Sequence, residues 1–144
     1  MKFLSVFIFI SFISPSLVSQ TVEGTDFDKV IFESTEIQIR SNFENCNDPS
    51  EGLDRDYVIL TIRNYMDYDV YVEFDQELYY DQKCKTCDKS EYHFTYRLGP
   101  GEVISGKCHF DSIAGLRIFH GMPEKWLKEK LSDFKLRNVK SKRI

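Results

Sequence analysis

Tyr92-His93-Phe94-Thr95-Tyr96-Arg97-Leu98, closed by Gly99-Pro100-Gly101-Glu102, is the stretch that decides the fold. Tyr92, Phe94, Tyr96 and Leu98 alternate with Glu91, His93, Thr95 and Arg97. A period of two is that of a half-buried strand, because successive side chains point to opposite faces. Pro100 fixes its own φ and Gly101 accepts a positive one, so Gly99 to Glu102 predicts a type II turn. Working outward, Val58, Leu60 and Ile62 oppose Tyr57, Ile59, Thr61 and Arg63, and Val70, Val72 and Phe74 oppose Tyr71, Glu73 and Asp75. The short polar connection from Asn64 to Asp69 predicts that these two runs form a hairpin. After the Gly99–Glu102 turn the chain reads as extended from Val103 to Phe110.

Further strands are expected at Val30–Phe32, Glu36–Phe43, Leu116–His120 and Phe134–Val139, which makes about eight. One short helix is expected over Pro123–Leu131. Pro123 suits the first helical position, Glu124 suits the positive end, and Trp126, Leu127 and Leu131 share a side. Composition points the same way. The 144 residues hold one alanine, Ala114, against twelve Phe and eight Tyr, which argues against an all-helical fold. With 42% apolar and 29% charged residues the chain is no disordered tract. The expected class is all-β, an antiparallel β-sandwich.

The first nineteen residues read as a secretory signal peptide. Lys2 precedes an apolar run from Phe3 to Ile13, Pro15 and Ser16 break it, and Leu17-Val18-Ser19 offers a cleavage point before Gln20. That run is too short for a spanning helix, which needs about 20 residues. The expectation is a single domain over residues 20–144, secreted or periplasmic, with no membrane insertion after cleavage. Losing Lys2 makes the formal charge of −4 one unit more negative. An acidic exported protein is a poor nucleic-acid binder, so no nucleic acid is expected among its partners.

The alternating run at Tyr57–Asn64, the segment to Phe74 and the Leu98-Gly99-Pro100-Gly101-Glu102 turn resemble small exported immunoglobulin-like and fibronectin-type β-sandwiches. The resemblance spans roughly residues 30 to 140 and implies architecture alone. It carries over no functional residue, since Trp126, the one tryptophan, follows all four cysteines.

Cys46, Cys84, Cys87 and Cys108 are an even set in an oxidising compartment, and two disulfides are the default. Sequence leaves the pairing open: Cys84 and Cys87 can each reach a distant partner, or pair with each other while Cys46 pairs with Cys108. Two alternatives use the Cys84-Lys85-Thr86-Cys87 spacing. A zinc site would take four thiolates, or His109 in place of one. Thiol–disulfide exchange would need a lowered thiolate pKa, toward which Lys83 and Lys85 supply positive charge while Asp81 and Asp88 offset it.

All eight tyrosines fall between Tyr57 and Tyr96, in an acidic window with twelve Asp/Glu against five Lys/Arg from Asp48 to Glu91. Tyr65, Tyr68 and Tyr71 form the candidate binding patch, an exposed Tyr-rich acidic hairpin suited to a protein or a glycan. The bland alternative is that Tyr is simply a good strand residue. Asp67, Asp69, Asp75, Glu77 and Asp81 lack the spacing of a calcium loop and read as charge that discourages edge-to-edge pairing, so no metal site is assigned. The basic end (Lys135, Arg137, Lys140, Lys142, Arg143) reads as a half-exposed strand with a frayed tail, or as a counterpart to the acidic middle. His93, His109 and His120 stand in no catalytic motif, and no cofactor is expected.

Overall fold

The structure is a computed structural model and describes residues 27–50, 53–122 and 130–144, with Leu53 given by its backbone alone. The expected signal segment and residues 123–129 of the expected helix lie outside the described residues. Leu131, the last residue of that helix, opens a strand instead.

The fold is all-β and antiparallel. Among the described residues there are nine strands: β1 (Lys29–Glu33), β2 (Ile37–Asp48), β3 (Leu53–Asn64), β4 (Val70–Tyr80), β5 (Lys83–Cys84), β6 (His93–Leu98), β7 (Val103–Ser105), β8 (Arg117–Gly121) and β9 (Leu131–Arg143). One sheet runs β1-β2-β3, and both β7 and β8 then pair with successive halves of β3. In the other sheet β4 is central, with β5 and β6 along one edge and β9 along the other.

Alternation explains what joins the sheets. Ile37, Ile39, Val58, Leu60, Ile62 and Ile118 of the first sheet meet Val70, Val72, Phe74, Leu98 and Phe134 of the second in one core. Removing that apolar area from water is the main stabilising term of the fold. Tyr57 and Ile59, on the opposite face of β3, are buried as well. The centre of β3 is therefore covered on both faces, which period-two reading did not anticipate.

The expected hairpin between β3 and β4 is corrected: the two strands belong to different sheets, and residues 65–69 cross from one sheet to the other. The cause is Asn64, which is fully buried. Its Nδ2 donates to the carbonyls of Tyr68 and Gly99, each at 2.8 Å, and its Oδ1 accepts from the Met66 N–H at 2.9 Å. Asn64 thereby holds the chain where it leaves the first sheet and ties together two turns that connect the sheets. The other turn is the predicted one: Gly101 has φ +64° and the Glu102 N–H bonds Gly99 O at 3.1 Å. It too crosses between sheets.

The expected extension from Val103 to Phe110 stops at Ser105. Gly106 marks the exit, because a Cβ there would lie 2.1 Å from the Leu116 carbonyl oxygen. At the other end of the chain, β9 runs to Arg143, so the expected frayed tail is paired strand. A register shift opposite Glu73/Asp75, with Asn138 at φ +52°, lets β9 follow the whole of β4.

Candidate functional site

Residues 106–116 leave the first sheet and return to it at one point. Leu60 closes the base of the excursion: its N–H donates to Leu116 O at 2.9 Å and its carbonyl accepts from the Gly106 N–H at 3.0 Å. Cys108 is bonded to Cys46 of β2. Arg117 opens β8 and donates through one terminal nitrogen to the carbonyls of Cys108 and His109, both at 2.6 Å. Its guanidinium sits 4.7 Å from the centroid of the Tyr57 ring, a cation–π arrangement.

The far side of the loop is held from within the core. The Tyr96 hydroxyl donates to Ala114 O at 2.8 Å, and Gln76 Nε2 donates to Gly115 O at 3.0 Å. Burial pushes the Tyr96 hydroxyl pKa well above its ordinary value, so it stays a donor. Gly115 has φ +79°, and a Cβ there would meet Tyr96 and Phe94 at 2.5–2.6 Å. The apex is a turn closed by the Ser112 N–H to His109 O at 3.1 Å. Phe110 stands in that turn, 89% exposed.

Beside the apex lies a cleft of about 270 Å³, whose lining includes Asp48, Arg55, Tyr57, His109, Phe110 and Arg117. Arg55 faces Cys46 across the β2–β3 ladder. Its Nε is buried without a hydrogen-bond partner. Neither the loop nor Arg55 was legible as a site in the sequence; the signals were two glycines, Gly106 and Gly115, bracketing a cysteine and an apolar residue.

Cys84 and Cys87 are bonded to each other. Thr86 between them is buried and takes the place of a strand partner for β4: its Oγ1 accepts from the Leu78 N–H and donates to Gln76 O, both at 2.8 Å. Turn and one 3-10 turn at Ser90–Tyr92 follow, so no α-helix N-terminus stands at the pair to stabilise a thiolate. The four cysteines are not gathered into one cluster. Among the described residues the one grouping of three metal-competent side chains is Glu44, Cys46 and Cys108, and two of those are the bonded pair. His109 stands apart, exposed in the loop apex.

The three candidate tyrosines are separated by their partners. Tyr65 donates to Glu33 at 3.0 Å with Arg63 over its ring, and Tyr68 donates to Glu36 at 3.3 Å with Arg143 over its ring. Tyr71, 43% exposed, points from the outer face of β4 into a hollow of about 430 Å³ shared with Glu73, Thr95, Lys140 and Lys142. That face is a lattice of cross-strand charge. Glu73 pairs with Lys140 at 3.4 Å, Asp75 with His93 at 2.7 Å, Glu77 with Arg137 at 3.2 Å and Asp69 with Arg97 at 2.6 Å. The acidic middle and the basic end of the chain are thus neighbours in one sheet. Hydrogen bonds from Asn138 and then His93 hold the Asp75 carboxyl below its ordinary value, and those from Tyr79 and then Arg137 do the same for Glu77. His120 lies edge-on to Phe27 and Phe43 at 5.2 and 5.1 Å, and this burial lowers its pKa.

The two disulfides are typical of non-cytoplasmic proteins. Among the described residues no helix is long and apolar enough to cross a membrane. No protein-family model, curated protein or solved structure matches the chain.

Proposed function

We propose that the protein is a secreted or periplasmic binding module that acts through its surface and not by catalysis. Its two layers are read as a β-sandwich similar in architecture to immunoglobulin-like and fibronectin-type domains. The partner is a protein, and the contact is the 106–116 loop. Phe110 carries this reading. A large apolar side chain is kept 89% in water at the apex of a loop fixed by a disulfide, an arginine and two core side chains. Isolated exposed apolar residues are ordinary on protein surfaces. A rigidly presented aromatic is different, because little ordering entropy is then lost on binding and aromatic side chains dominate interface hot spots.

A photo-crosslinking residue placed at 110, in the full chain expressed and exported by its source cells, tests this against the same residue at exposed Arg97. The reading expects a discrete protein adduct from 110 and none from 97. Equal labelling from both positions, or none from 110, refutes it.

A second reading is favoured by Tyr71. Its exposed ring beside the hollow over Thr95 and Lys140 suits stacking on a sugar ring. Tyr65 and Tyr68 lend this less support, since their hydroxyls are bonded within the protein. Thiol exchange or zinc binding at Cys84/Cys87 draws less support still from a bonded pair without a helix behind it.

A further inference from the structure

The geometry points to a carboxylate-binding cleft beside Phe110, in which Arg55 takes a peptide carboxylate, terminal or side-chain, while Tyr57 and Phe110 contact the apolar group next to it. This names a ligand class for the loop surface and rests on the reading of that loop as a contact site.

Three observations carry it. Arg55 lines the cleft, and its buried Nε–H has no acceptor. A buried unpaired donor on a charged group is costly; the nitrogen has no accessible surface in the free fold, so the Arg55 side chain must turn toward the cleft for a ligand acceptor to relieve that cost. On its own face the nearest acids belong to β2, where Glu44 and Asp48 stand two residues either side of its ladder partner Cys46 and Asp48 shares the cleft, whereas those of its own strand lie elsewhere. Asp54 and Asp56 alternate to the opposite face of β3, where both accept from Asn45 Nδ2, at 3.0 and 2.7 Å. Arg117 adds a second guanidinium, which lies over the Tyr57 ring and donates to two carbonyls through a single nitrogen. Its other two nitrogens take no part in those two bonds.

The cleft is small, and Asp48 is part of its wall. Within a chain of net charge −4 this disfavours a dianion such as phosphate and suits a single negative charge. The aromatic walls select a carboxylate with an apolar neighbour. A planar guanidinium matches a planar carboxylate in two parallel hydrogen bonds.

The test follows the Arg55 Nε–Hε resonance by NMR in the full chain with both disulfides intact. The titrants are N-acetyl-phenylalanine, its uncharged amide, and inorganic sulfate. The inference expects the Arg55 proton to shift downfield with the acid, with affinity for the acid at least about tenfold above that for the amide. Arg55→Ala should lose about tenfold or more, Arg55→Lys less, and Arg97→Ala nothing. Equal binding of acid and amide, unchanged affinity in Arg55→Ala, or a response to sulfate without one to the carboxylate overturns the inference. So does no binding at all. Protein adducts from position 110 alongside any of these failures would leave the broader reading of the loop standing, whereas their loss as well would remove both.

Discussion

Replacing Cys46 and Cys108 together by serine removes the cross-link that anchors the loop to β2. The two residues are 62 apart in sequence, and closing a loop of that size in the unfolded chain corresponds to about 4 kcal/mol in the chain-entropy account. The Cys84–Cys87 bond closes only three residues, for which the same relation gives about 1.6 kcal/mol. Urea unfolding followed by tyrosine and far-UV signals separates the two. For a slope of about 2 kcal/mol per molar, the first double variant should lose about 2 M in midpoint and the second less than 1 M. Thr86 narrows the second effect further, since its hydroxyl holds that turn to β4 without the sulfurs. If the Cys84/Cys87 variant were as destabilised as the Cys46/Cys108 variant, the long cross-link would not be the stronger clamp on the fold.

Other expectations follow from single contacts. Asn64→Ala leaves two part-buried carbonyls and the Met66 N–H without their partner and frees the turns between the sheets, so a loss of about 2–4 kcal/mol is expected by thermal or urea unfolding; a change under 0.5 kcal/mol would mean that Asn64 does not hold that crossing. Gly106→Ala sets a methyl against the Leu116 carbonyl at a backbone approach that cannot yield, so the loop base should open, visible as loss of amide-exchange protection at Leu60 and Leu116. Unaltered protection there would refute the pinch. Acid should act in two windows. His120 has a folded pKa below its unfolded value, so the unfolded chain takes the proton first and stability falls as pH drops below about 6.5; His120→Phe should flatten that slope. Asp75 and Glu77 have folded values below their unfolded ones, so their contribution is present above about pH 4 and is lost as pH falls through the folded values; Asp75→Asn with Glu77→Gln should reduce that lower loss. A stability profile flat from neutral to acid pH would contradict both.

The strands were legible because alternation is a local property: Val58, Leu60, Ile62, Val70, Val72, Phe74, Tyr96 and Leu98 all face the core as their spacing implies. Which sheet each strand joins was not legible. It depends on Asn64 reaching Gly99, thirty-five residues away, and a polar loop looks the same whether it closes a hairpin or crosses between layers. The end of β9 was hidden by its own irregularity. Phe134 and Leu136 alternate, the bulge at Asn138 shifts the parity, and the pattern resumes on Val139 and Ser141. Of the candidate site, the sequence offered the cysteines but not their pairing, because pairing is a matter of which loops meet. It pointed to tyrosines, and two of the three prove to be bonded to Glu33 and Glu36 of the β1–β2 region. Phe110 and Arg55 carry no motif. Their interest comes from a glycine pinch, a disulfide and an unpaired nitrogen that only the folded chain brings together.

The most direct test is backbone ¹⁵N relaxation at residues 107–113 with the disulfides intact. A clamped loop predicts order parameters near those of the strands, about 0.85, falling below about 0.6 once the Cys46–Cys108 bond is removed. Low values in the intact protein would contradict the account, because Phe110 would then move freely and be presented to nothing in particular.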